Sequence, residues 1–488
     1  MKNLSGKFTV AANHPLATMA GLEVLEKGGN AYDAALAVSA ALVVVQPHLN
    51  GLGGDFFAVV DDGSRRSING SGYAAELATV DYFSSRGLSS IPKKGPLSSF
   101  VVPGMVSAWN LLSEQSTMDM PLLFSRAISY AKRGFRVQNS LHKSIGLTNS
   151  DDADWARIYK GVNSGGTIYQ TDLGSTLETV SKDGGHSFYH GALAKAIEED
   201  MREKGGLIRF QDMDSYGAKW LNPVSTTYRG HTVYTTPPNS QGATLLFWMN
   251  MLSRISLSSM EMEEYYDNII SAMYRAYHYR SKYIGDPESV NLPAGMLSPS
   301  YNYAMESAGS PKTDSISDTT AFSVYDGTAG ISAIQSNYMG FGSGHTIHGT
   351  GINMNNRGAY FSLDRSHHNH VAPHKKTFHT LMATICKGPA TLYLSSMGGD
   401  VQPQTNIQII SRIMDLGEGL QHAISAPRFC YPASIYSGST LYAERSLGLK
   451  NAEAVDDNNS MMGHAQGILV SSGVTPGFDP RGDAFEKY

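Results

Sequence analysis

The chain has 488 residues, of which 41% are hydrophobic and 17% are charged, a composition typical of a globular protein with a large core. Its 38 basic and 43 acidic residues give a formal net charge of −5, which argues against a nucleic-acid partner or an anionic membrane surface.

The cysteine content and the N-terminal sequence bear on the compartment. Cys386 and Cys430 are too few for a disulfide framework, and we expect them to be buried free thiols. The first residues lack the apolar core of a signal peptide, and no apolar run is long enough to span a bilayer. The expectation is therefore a cytoplasmic protein without a membrane partner.

The N-terminal part of the chain predicts helices packed on a core strand. Pro15 suits the first turn of a helix, and Asn30 can cap a second helix over residues 31–45. That second helix is apolar on most sides, which predicts burial. A glycine-rich turn over residues 50–54 leads into a strand at residues 56–60. Apolar helices followed by an apolar strand fit a sheet that is covered by helices.

Further helices and one polar segment follow. A helix is expected to begin after Gly104, an amphipathic helix over residues 193–203, and one or two helices over residues 260–283. Residues 298–318 are polar and serine-rich, so we expect an exposed, mobile stretch. Such a stretch suits a chain end that swings away after cleavage, and it is equally compatible with a plain surface loop.

The most informative feature of the sequence is Thr319, which Asp318 precedes and an alternating strand follows. If the chain is cut between these two residues, Thr319 gains a free α-amino group beside its own hydroxyl. Such an amine has an ordinary pKa of about 7.7–8.0, so part of it is neutral near pH 7 and can take the hydroxyl proton. The alternative is a chance Asp-Thr pair, since serine and threonine are common before strands.

The residues after the Asp-Thr pair predict a β-hairpin. Residues 319–325 alternate in polarity, Asp326 and the glycine after it favour a turn, and residues 330–336 return as the partner strand. This hairpin would place Thr319 at the start of its strand, facing groups near Ser336.

Gly398 and Gly399 follow another predicted strand, at residues 390–395. Consecutive glycines can present their backbone N–H groups in conformations closed to other residues. Two such donors would stabilise the oxyanion of a tetrahedral intermediate, where the loss of one donor costs about 3–4 kcal/mol. The alternative is a simple turn that ends the strand.

Other residues give weaker signals. Seven histidines fall between His345 and His379, but no Cys-x-x-Cys pair or HExxH motif accompanies them, so we favour a histidine-rich loop over a metal site. His379 is kept as a candidate pocket residue. Arg357 could bind a substrate carboxylate through two hydrogen bonds, although a lone arginine is more often a structural or solvated cation. Phosphate, dinucleotide and serine-hydrolase motifs are missing, and no metal or organic cofactor is expected.

In combination these residues resemble the γ-glutamyltranspeptidase family of N-terminal-nucleophile hydrolases. The similarity runs along nearly the whole chain and is carried by short motifs in a fixed order. The motifs are residues 11–17, 28–35, 50–55, 102–104, 318–320, 341–344, 349–352, 398–399, 426–429, 462–466 and 479–483.

The resemblance implies a fold, a cleavage and a set of roles. The fold would be of the α+β class, a four-layer αββα sandwich made as one precursor that cuts itself before Thr319. Residues 1–318 would become the large subunit and residues 319–488 the small subunit, associated around one shared core. Thr319 would be the nucleophile and Gly398 and Gly399 the oxyanion hole. Ser336 falls where the family has a threonine that supports the nucleophile.

The residues that bind the acyl donor depart from the family pattern. Tyr73 stands where members acting on glutathione have an arginine for the donor's α-carboxylate. Ala359 and Tyr360 replace an acidic pair that holds the α-amino group, and His379 and Thr380 replace a serine pair. Since each charge-assisted contact contributes about 1.5–3 kcal/mol, recognition of a zwitterionic glutamyl group should weaken by several kcal/mol.

Three functions remain open. The first is an autoprocessed amidohydrolase or acyltransferase that acts through a Thr319 acyl-enzyme on a small amide, for example of the glutaryl type. The second is a true γ-glutamyltransferase, or glutathione hydrolase, in which Arg357 takes the part of the missing arginine. The third is a non-catalytic relative that keeps the fold as a binding or structural protein. The pocket residues expected in the first case are Tyr73, Arg357, Tyr360, His379 and Thr380. The sequence does not identify the acyl donor or the acceptor, and it does not decide whether the protein forms a homodimer.

Overall fold

The computed structural model describes residues 7–303, 318–432 and 440–485. Its strands, in chain order, are β1 (Thr9–Ala12), β2 (Asp55–Asp61), β3 (Arg65–Gly70), β4 (Phe135–Arg136), β5 (Thr167–Ile168), β6 (Lys219–Leu221), β7 (Val224–Tyr228), β8 (His231–Thr235), β9 (Asp318–Tyr325), β10 (Gly330–Tyr338), β11 (Thr346–Ile347), β12 (Ile352–Asn353), β13 (Ala383–Lys387), β14 (Thr391–Met397), β15 (Phe429–Cys430), β16 (Tyr442–Glu444), β17 (Glu453–Val455), β18 (His464–Val470) and β19 (Val474–Phe478).

The α-helices lie between and after these strands. In chain order they are α1 (Pro15–Glu26), α2 (Ala31–Val45), α3 (Val80–Ser84), α4 (Met105–Ser113), α5 (Met120–Leu123), α6 (Ser125–Arg133), α7 (Asn139–Thr148), α8 (Ala153–Tyr159), α9 (Thr171–Asp183), α10 (His186–His190), α11 (Ala192–Glu203), α12 (Phe210–Asp214), α13 (Gly242–Leu252), α14 (Met262–Tyr283), α15 (Gln402–Met414) and α16 (Leu420–Ser425).

Two six-stranded sheets form the centre of the molecule. The first has the strand order β1-β9-β10-β2-β3-β6, and the second has the order β19-β18-β14-β13-β8-β7. Neighbouring strands within both sheets are antiparallel. Apolar side chains from both sheets, among them Phe57, Ile334 and Ile385, pack together between them. Antiparallel strands with one face turned to a partner sheet explain this inner core.

Helices cover the outer face of each sheet. The helices α1, α2 and α4 share one apolar core with the first sheet, and α13, α14 and α15 share another with the second. Every residue of α2 is buried, as its apolar surface predicts. The architecture is therefore the predicted four-layer αββα sandwich of the α+β class.

Most predicted elements have their expected positions. Asn30 caps α2 in a reciprocal capping box with Asp33. Residues 260–283, predicted as one or two helices, form the single helix α14. The predicted hairpin is the pair β9 and β10. The stretch predicted to be mobile, residues 298–318, lies largely outside the described residues.

The cysteines and helices also bear on the compartment. Cys386 and Cys430 are buried free thiols, as predicted. In the described ranges, the helices are all too short or too polar to cross a bilayer.

The two strands that follow residue 318 occupy the middle of the first sheet. β9 pairs with β1, and β10 pairs with β2, so strands from earlier in the chain lie on both sides of the hairpin. This arrangement places Thr319 and Thr320 deep inside the protein.

Candidate active site

Thr319 lies near the start of β9, in the centre of the first sheet. Its side chain is fully buried, and its Oγ1 atom makes no hydrogen bond within the described part of the chain. A buried hydroxyl without a partner costs about 1–3 kcal/mol, so native proteins rarely keep one without a functional reason.

Ser336 lies beside Thr319 on the neighbouring strand. The strand register pairs Gln335 with Thr320, and Ser336 and Thr319 are the next residues along their strands, just before a bulge. The Oγ atom of Ser336 accepts a hydrogen bond of 2.7 Å from the backbone N–H of Tyr338. The hairpin thus brings together the two residues that its sequence predicted.

A buried charged cluster begins at Ser336. Arg357 donates from Nη2 to Ser336 Oγ at 3.4 Å and from Nε to Asp55 Oδ2 at 3.1 Å. His379 Nε2 lies 2.9 Å from the same Asp55 oxygen. Arg357, Asp55 and His379 are all fully buried, so Arg357 is not a solvated cation. Two atoms of the cluster, Arg357 Nη1 and Asp55 Oδ1, have no hydrogen-bond partner among the described residues.

The contacts of His379 select its neutral tautomer. Its Nδ1 accepts a hydrogen bond of 3.2 Å from the backbone N–H of Leu381, so Nε2 carries the hydrogen that is donated to Asp55. Burial, together with the positive charge of Arg357, lowers the pKa of His379 to about 4. Burial raises the pKa of Asp55, but His379 and Arg357 outweigh it and hold that pKa below its ordinary value. Near neutral pH the cluster is an ion pair with a neutral imidazole.

Hydrogen bonds join this cluster to the glycine turn after β14. Gln241 donates its backbone N–H to the carbonyl of His379 at 2.8 Å and its Nε2 to the carbonyl of Gly399 at 2.9 Å. Gly398 and Gly399 have φ angles of +126° and +59°, which side chains disfavour. Gly399 begins a 3₁₀ turn, and the first N–H groups of a helix have no partner inside it. The turn can therefore offer backbone donors to a bound oxyanion.

A second set of contacts joins β9 to the same turn. The Oε1 atom of Gln46 accepts hydrogen bonds from Thr320 Oγ1 at 2.6 Å and from Asn13 Nδ2 at 3.5 Å. Asn13 Nδ2 also lies 3.5 Å from the sulfur of Met397, which directly precedes Gly398. The side chains of Gln46 and Asn13 thus link Thr320, which follows Thr319, to Met397, which precedes Gly398.

Tyr360 and Thr380, two predicted pocket residues, lie at this cluster. The ring centroid of Tyr360 is 5.6 Å from the guanidinium carbon of Arg357, and Tyr360 also borders a cavity of about 120 Å³ beside Asp400. The carbonyl of Thr380 accepts a hydrogen bond of 2.6 Å from Nε2 of Gln241. Tyr360 therefore contacts the ion pair directly, and Thr380 is joined to the glycine turn through Gln241.

Tyr73 has a different setting. Its hydroxyl lies 2.7 Å from Ser215 Oγ and donates to the carbonyl of Asp212 at 3.0 Å, and its ring packs against Tyr216. In the described part of the chain, no contact joins Tyr73 to Arg357. The structure does not bring Tyr73 to the charged cluster.

The histidines of residues 345–379 form small local groups: His345 and His348 both contact Asp200, and the rings of His367 and His368 stack with centroids 4.7 Å apart. His345 Nε2 lies 2.5 Å from Asp200, and His348 Nδ1 lies 2.8 Å from Asp154. Within the described ranges, no three histidine, cysteine, aspartate or glutamate side chains are grouped to hold a metal ion.

Sequence reasoning missed Asp55, Gln46 and Gln241 as site residues. Asp55 was part of a recognised motif, but only as the end of a glycine turn. The available signal was a charged residue directly before five apolar strand residues, because a buried charge requires a partner. The two glutamines carried no comparable signal.

Known proteins resemble this chain over nearly its whole length. The Gamma-glutamyltranspeptidase family model matches residues 17–487. The glutathione hydrolase-like YwrD proenzyme of Bacillus subtilis is 36% identical, with 98% of this chain and 97% of that protein covered. The oxamate amidohydrolase proenzyme of Klebsiella pneumoniae is 31% identical, with 96% and 95% covered.

A solved structure gives the same result. Cephalosporin acylase from Bacillus halodurans superposes with a TM-score of 0.88 at 30% identity, covering 99% of this chain and 97% of that one. The sequence resemblance is thereby confirmed, and this protein is an enzyme of the γ-glutamyltranspeptidase family.

Proposed function

We propose that the chain is the precursor of an N-terminal-nucleophile amidohydrolase or acyltransferase that cuts itself between Asp318 and Thr319. The observation that carries this proposal is the buried hydroxyl of Thr319, which has no hydrogen-bond partner in the described structure and lies beside Ser336. Two relatives named as proenzymes support a cleaved form. The products would be a large subunit of residues 1–318 and a small one of residues 319–488.

Self-cleavage needs the groups at the junction and one water molecule. The hydroxyl oxygen of Thr319 attacks the carbonyl carbon of Asp318, the hydroxyl proton passes to the peptide nitrogen, and that nitrogen leaves as the amine of Thr319. Residues 1–318 are then held on that oxygen as an ester. Water hydrolyses the ester, which leaves a carboxylate on Asp318 and a free amine beside the hydroxyl of Thr319.

The same threonine then catalyses turnover. Its amine takes the hydroxyl proton while the oxygen attacks the amide carbonyl of the substrate. The N–H groups of Gly398 and Gly399 stabilise the negative oxygen of the tetrahedral intermediate. The protonated amine passes its proton to the leaving nitrogen, and an acyl-enzyme remains. Water or a second amine then removes the acyl group from Thr319.

Denaturing electrophoresis tests the cleavage. A cut chain gives fragments of about 34 and about 18 kDa, in proportion to the 318 and 170 residues of a 52.7-kDa chain. Thr319→Ala should stay whole, whereas the matched variant Thr319→Ser keeps a hydroxyl and should still be cut. Full activity in a wild-type chain that remains uncut would overturn the proposal, because the catalytic amine would not exist.

For the substrate, we propose an acyl group that bears a carboxylate, with Arg357 as its anchor. The guanidinium uses Nε and Nη2 within the protein, and Nη1 is a buried donor without a partner among the described residues. A carboxylate would satisfy Nη1 through a charge-assisted hydrogen bond, the strongest kind available to it. Oxamate, named for one relative, is an amide of this chemical type.

Two anilides that differ only in the terminal carboxylate test this substrate class. Glutaryl anilide should be hydrolysed with a kcat/KM at least about tenfold higher than butyryl anilide, since one charge-assisted hydrogen bond contributes about 1.5–3 kcal/mol. Arg357→Lys should reduce that ratio and leave the butyryl rate within a few fold. Equal rates for the two anilides would exclude Arg357 as a carboxylate anchor.

A second candidate function is a γ-glutamyltransferase with a rebuilt donor site. It is favoured by Asp55 Oδ1, a buried anionic oxygen that has no partner in the described ranges and could accept from an α-ammonium group. γ-Glutamyl anilide differs from glutaryl anilide only by that ammonium group. A higher kcat/KM for γ-glutamyl anilide would favour this function, and a lower value would favour the acylase.

A further inference from the structure

Helix α14 contacts the glycine turn from the part of the chain that precedes the proposed cleavage. Asp400, the residue directly after Gly398 and Gly399, is 2% exposed. Its backbone carbonyl accepts a hydrogen bond from the hydroxyl of Tyr277, and its carboxylate accepts one from Nη1 of Arg280. Tyr277 and Arg280 lie three residues apart on α14, so they project from the same face of the helix.

Arg280 reaches the turn by a second path. The Oε1 atom of Gln241 accepts a hydrogen bond of 3.0 Å from Nη1 of Arg280. The Nε2 atom of Gln241 in turn donates to the carbonyl of Gly399 at 2.9 Å. Arg280 and Gln241 are almost fully buried, so water does not compete for these bonds.

The hydroxyl of Tyr277 is itself held in place. It accepts a hydrogen bond of 3.0 Å from Nε2 of Gln404, which lies in the first turn of α15 directly after the glycine turn. The guanidinium carbon of Arg280 stands 4.4 Å from the ring centroid of Tyr277. The two side chains therefore act on the turn as one packed unit.

These contacts fix three successive carbonyl groups. The carbonyl of Gly398 accepts from the N–H of Val401 at 3.0 Å, that of Gly399 from Gln241, and that of Asp400 from Tyr277. In a planar trans peptide the C=O and N–H groups point in opposite directions, so fixing a carbonyl also fixes the following N–H. The Asp400 carbonyl held by Tyr277 fixes the N–H of Val401, and the bond from that N–H to the Gly398 carbonyl fixes the N–H of Gly399.

We propose that Tyr277 and Arg280 are positioning residues that aim the backbone N–H of Gly399 at the transition state. The proposal rests on the proposed function, in which this donor helps to stabilise the oxyanion. A buried ion pair such as Arg280 with Asp400 contributes little net stability compared with apolar packing, which leaves geometry as the reason for its presence. The contacts run to the glycine turn, so we expect the effect in kcat; because Arg280 also lines the cavity that Tyr360 borders, KM is measured alongside.

Four variants test the proposal on the cleaved enzyme. Tyr277→Phe removes one hydroxyl, and Arg280→Lys keeps the charge but loses the forked geometry. The matched controls on the same helix are Tyr274→Phe and Arg275→Lys, whose native side chains are only partly buried. Each variant is assayed with a chromogenic anilide, with self-cleavage and thermal unfolding measured in parallel.

The expected result is a loss in kcat without a matching change in KM. Tyr277→Phe and Arg280→Lys should lower kcat roughly 10- to 100-fold, less than the 10²–10³ that follows complete loss of an oxyanion donor. KM should stay within about twofold, and the two control variants should keep the wild-type kcat. The more severe Arg280→Gln should lower kcat further if it folds.

Several outcomes separate the possible failures. A kcat within twofold of wild type in both Tyr277→Phe and Arg280→Lys would overturn the positioning role. An equal loss in the control variants would also overturn it, since general destabilisation of α14 would then explain the effect. Failure of the proposed function gives a different result: the wild-type chain would remain uncut, or the Thr319→Ala variant would retain activity.

Discussion

Gly398 and Gly463 lie in direct backbone contact: a Cβ atom on Gly398 would come within 3.1 Å of the Cα atom of Gly463. The carbonyl of Gly463 accepts a hydrogen bond of 2.9 Å from Nη1 of Arg428, and Arg428 pairs with Asp479 at 2.7 Å. Three motifs that are far apart in sequence thus meet behind the glycine turn. They are residues 426–429, 462–466 and 479–483.

This contact predicts that Gly463→Ala impairs catalysis. Gly463 has a φ angle of +74°, and an added Cβ would lie 2.5 Å from Thr405 Oγ1 and 2.7 Å from the carbonyl of Met397. Because Met397 is fixed in the second sheet, the strain should displace the adjacent Gly398. We expect kcat to fall at least about tenfold, as for a misplaced oxyanion donor. Steady-state kinetics with Gly473→Ala as control, where the new methyl group meets open space, checks this.

The charged residues behind the turn predict a large stability effect. Arg481 Nη1 lies 3.1 Å from Asp479, and Arg481 Nε donates to Glu444 at 2.8 Å, with all three side chains buried. Glu444→Gln should lower the free energy of unfolding by about 3–5 kcal/mol, since it removes one charge from a buried network. Urea unfolding measures this.

The control is an exposed ion pair of similar length. Lys450 and Glu263 are 2.7 Å apart on the surface, where a pair contributes about 0–1 kcal/mol. Glu263→Gln should therefore leave the urea midpoint almost unchanged. Similar losses in Glu263→Gln and Glu444→Gln would contradict the assignment of the buried network.

Four buried histidines predict a loss of stability in mild acid. Burial lowers the pKa of His14 and His48 to about 3 and of His379 and His464 to about 4. The unfolded chain binds these protons at an ordinary pKa of about 6.5, so stability falls as the pH drops from 6.5 towards 4. By pH 5 the loss is about 2 kcal/mol for each histidine.

Urea unfolding at several pH values checks the acid effect. The slope of stability against pH near 5 should correspond to an uptake of about four protons on unfolding. His48→Gln should reduce that slope by about one proton. A free energy of unfolding that stays constant between pH 8 and pH 5 would refute the prediction.

Substitutions of Ser336 by alanine and by threonine are expected to differ in their effects on self-cleavage and kcat. Ser336→Ala deprives the backbone N–H of Tyr338 and Nη2 of Arg357 of an acceptor, and each buried donor left unpaired costs about 1–3 kcal/mol. We expect slower self-cleavage and a lower kcat. Ser336→Thr keeps the hydroxyl and should stay within a few fold of wild type. Mass spectrometry over time measures self-cleavage in both variants, and steady-state kinetics measures kcat. Equal results for the two variants would exclude a role for the Ser336 hydroxyl.

Sequence periodicity was sufficient to predict the elements that depend on residues close to one another in the chain. The hairpin of β9 and β10 and the buried helix α2 depend on patterns within a few residues, and the hairpin alone brings Ser336 to Thr319. The contacts of Asp55 could not be predicted in this way, because Arg357 and His379 follow it by about 300 residues.

Two pocket predictions, for Arg357 and Tyr73, show that the burial and direction of a side chain cannot be predicted from its local sequence. Arg357 gives the same sequence signal whether it is solvated or buried, and only the tertiary fold places it against Asp55. Tyr73 was assigned to the pocket from its place in a motif, yet its hydroxyl points to Ser215. Orientation of a side chain depends on neighbours that the motif does not contain.

The strand order of the first sheet determines how the two proposed subunits would have to assemble. β9 and β10 belong to the later part of the chain and lie between β1 and β2 of the earlier part. Separating the halves would open the pairings β1–β9 and β10–β2 in this sheet and β8–β13 in the second, and would leave six unpaired strand edges, which are prone to aggregation. The halves are therefore expected to fold only as a continuous chain. Co-expression of two pre-cut genes should yield insoluble material where the intact gene yields a soluble heterodimer.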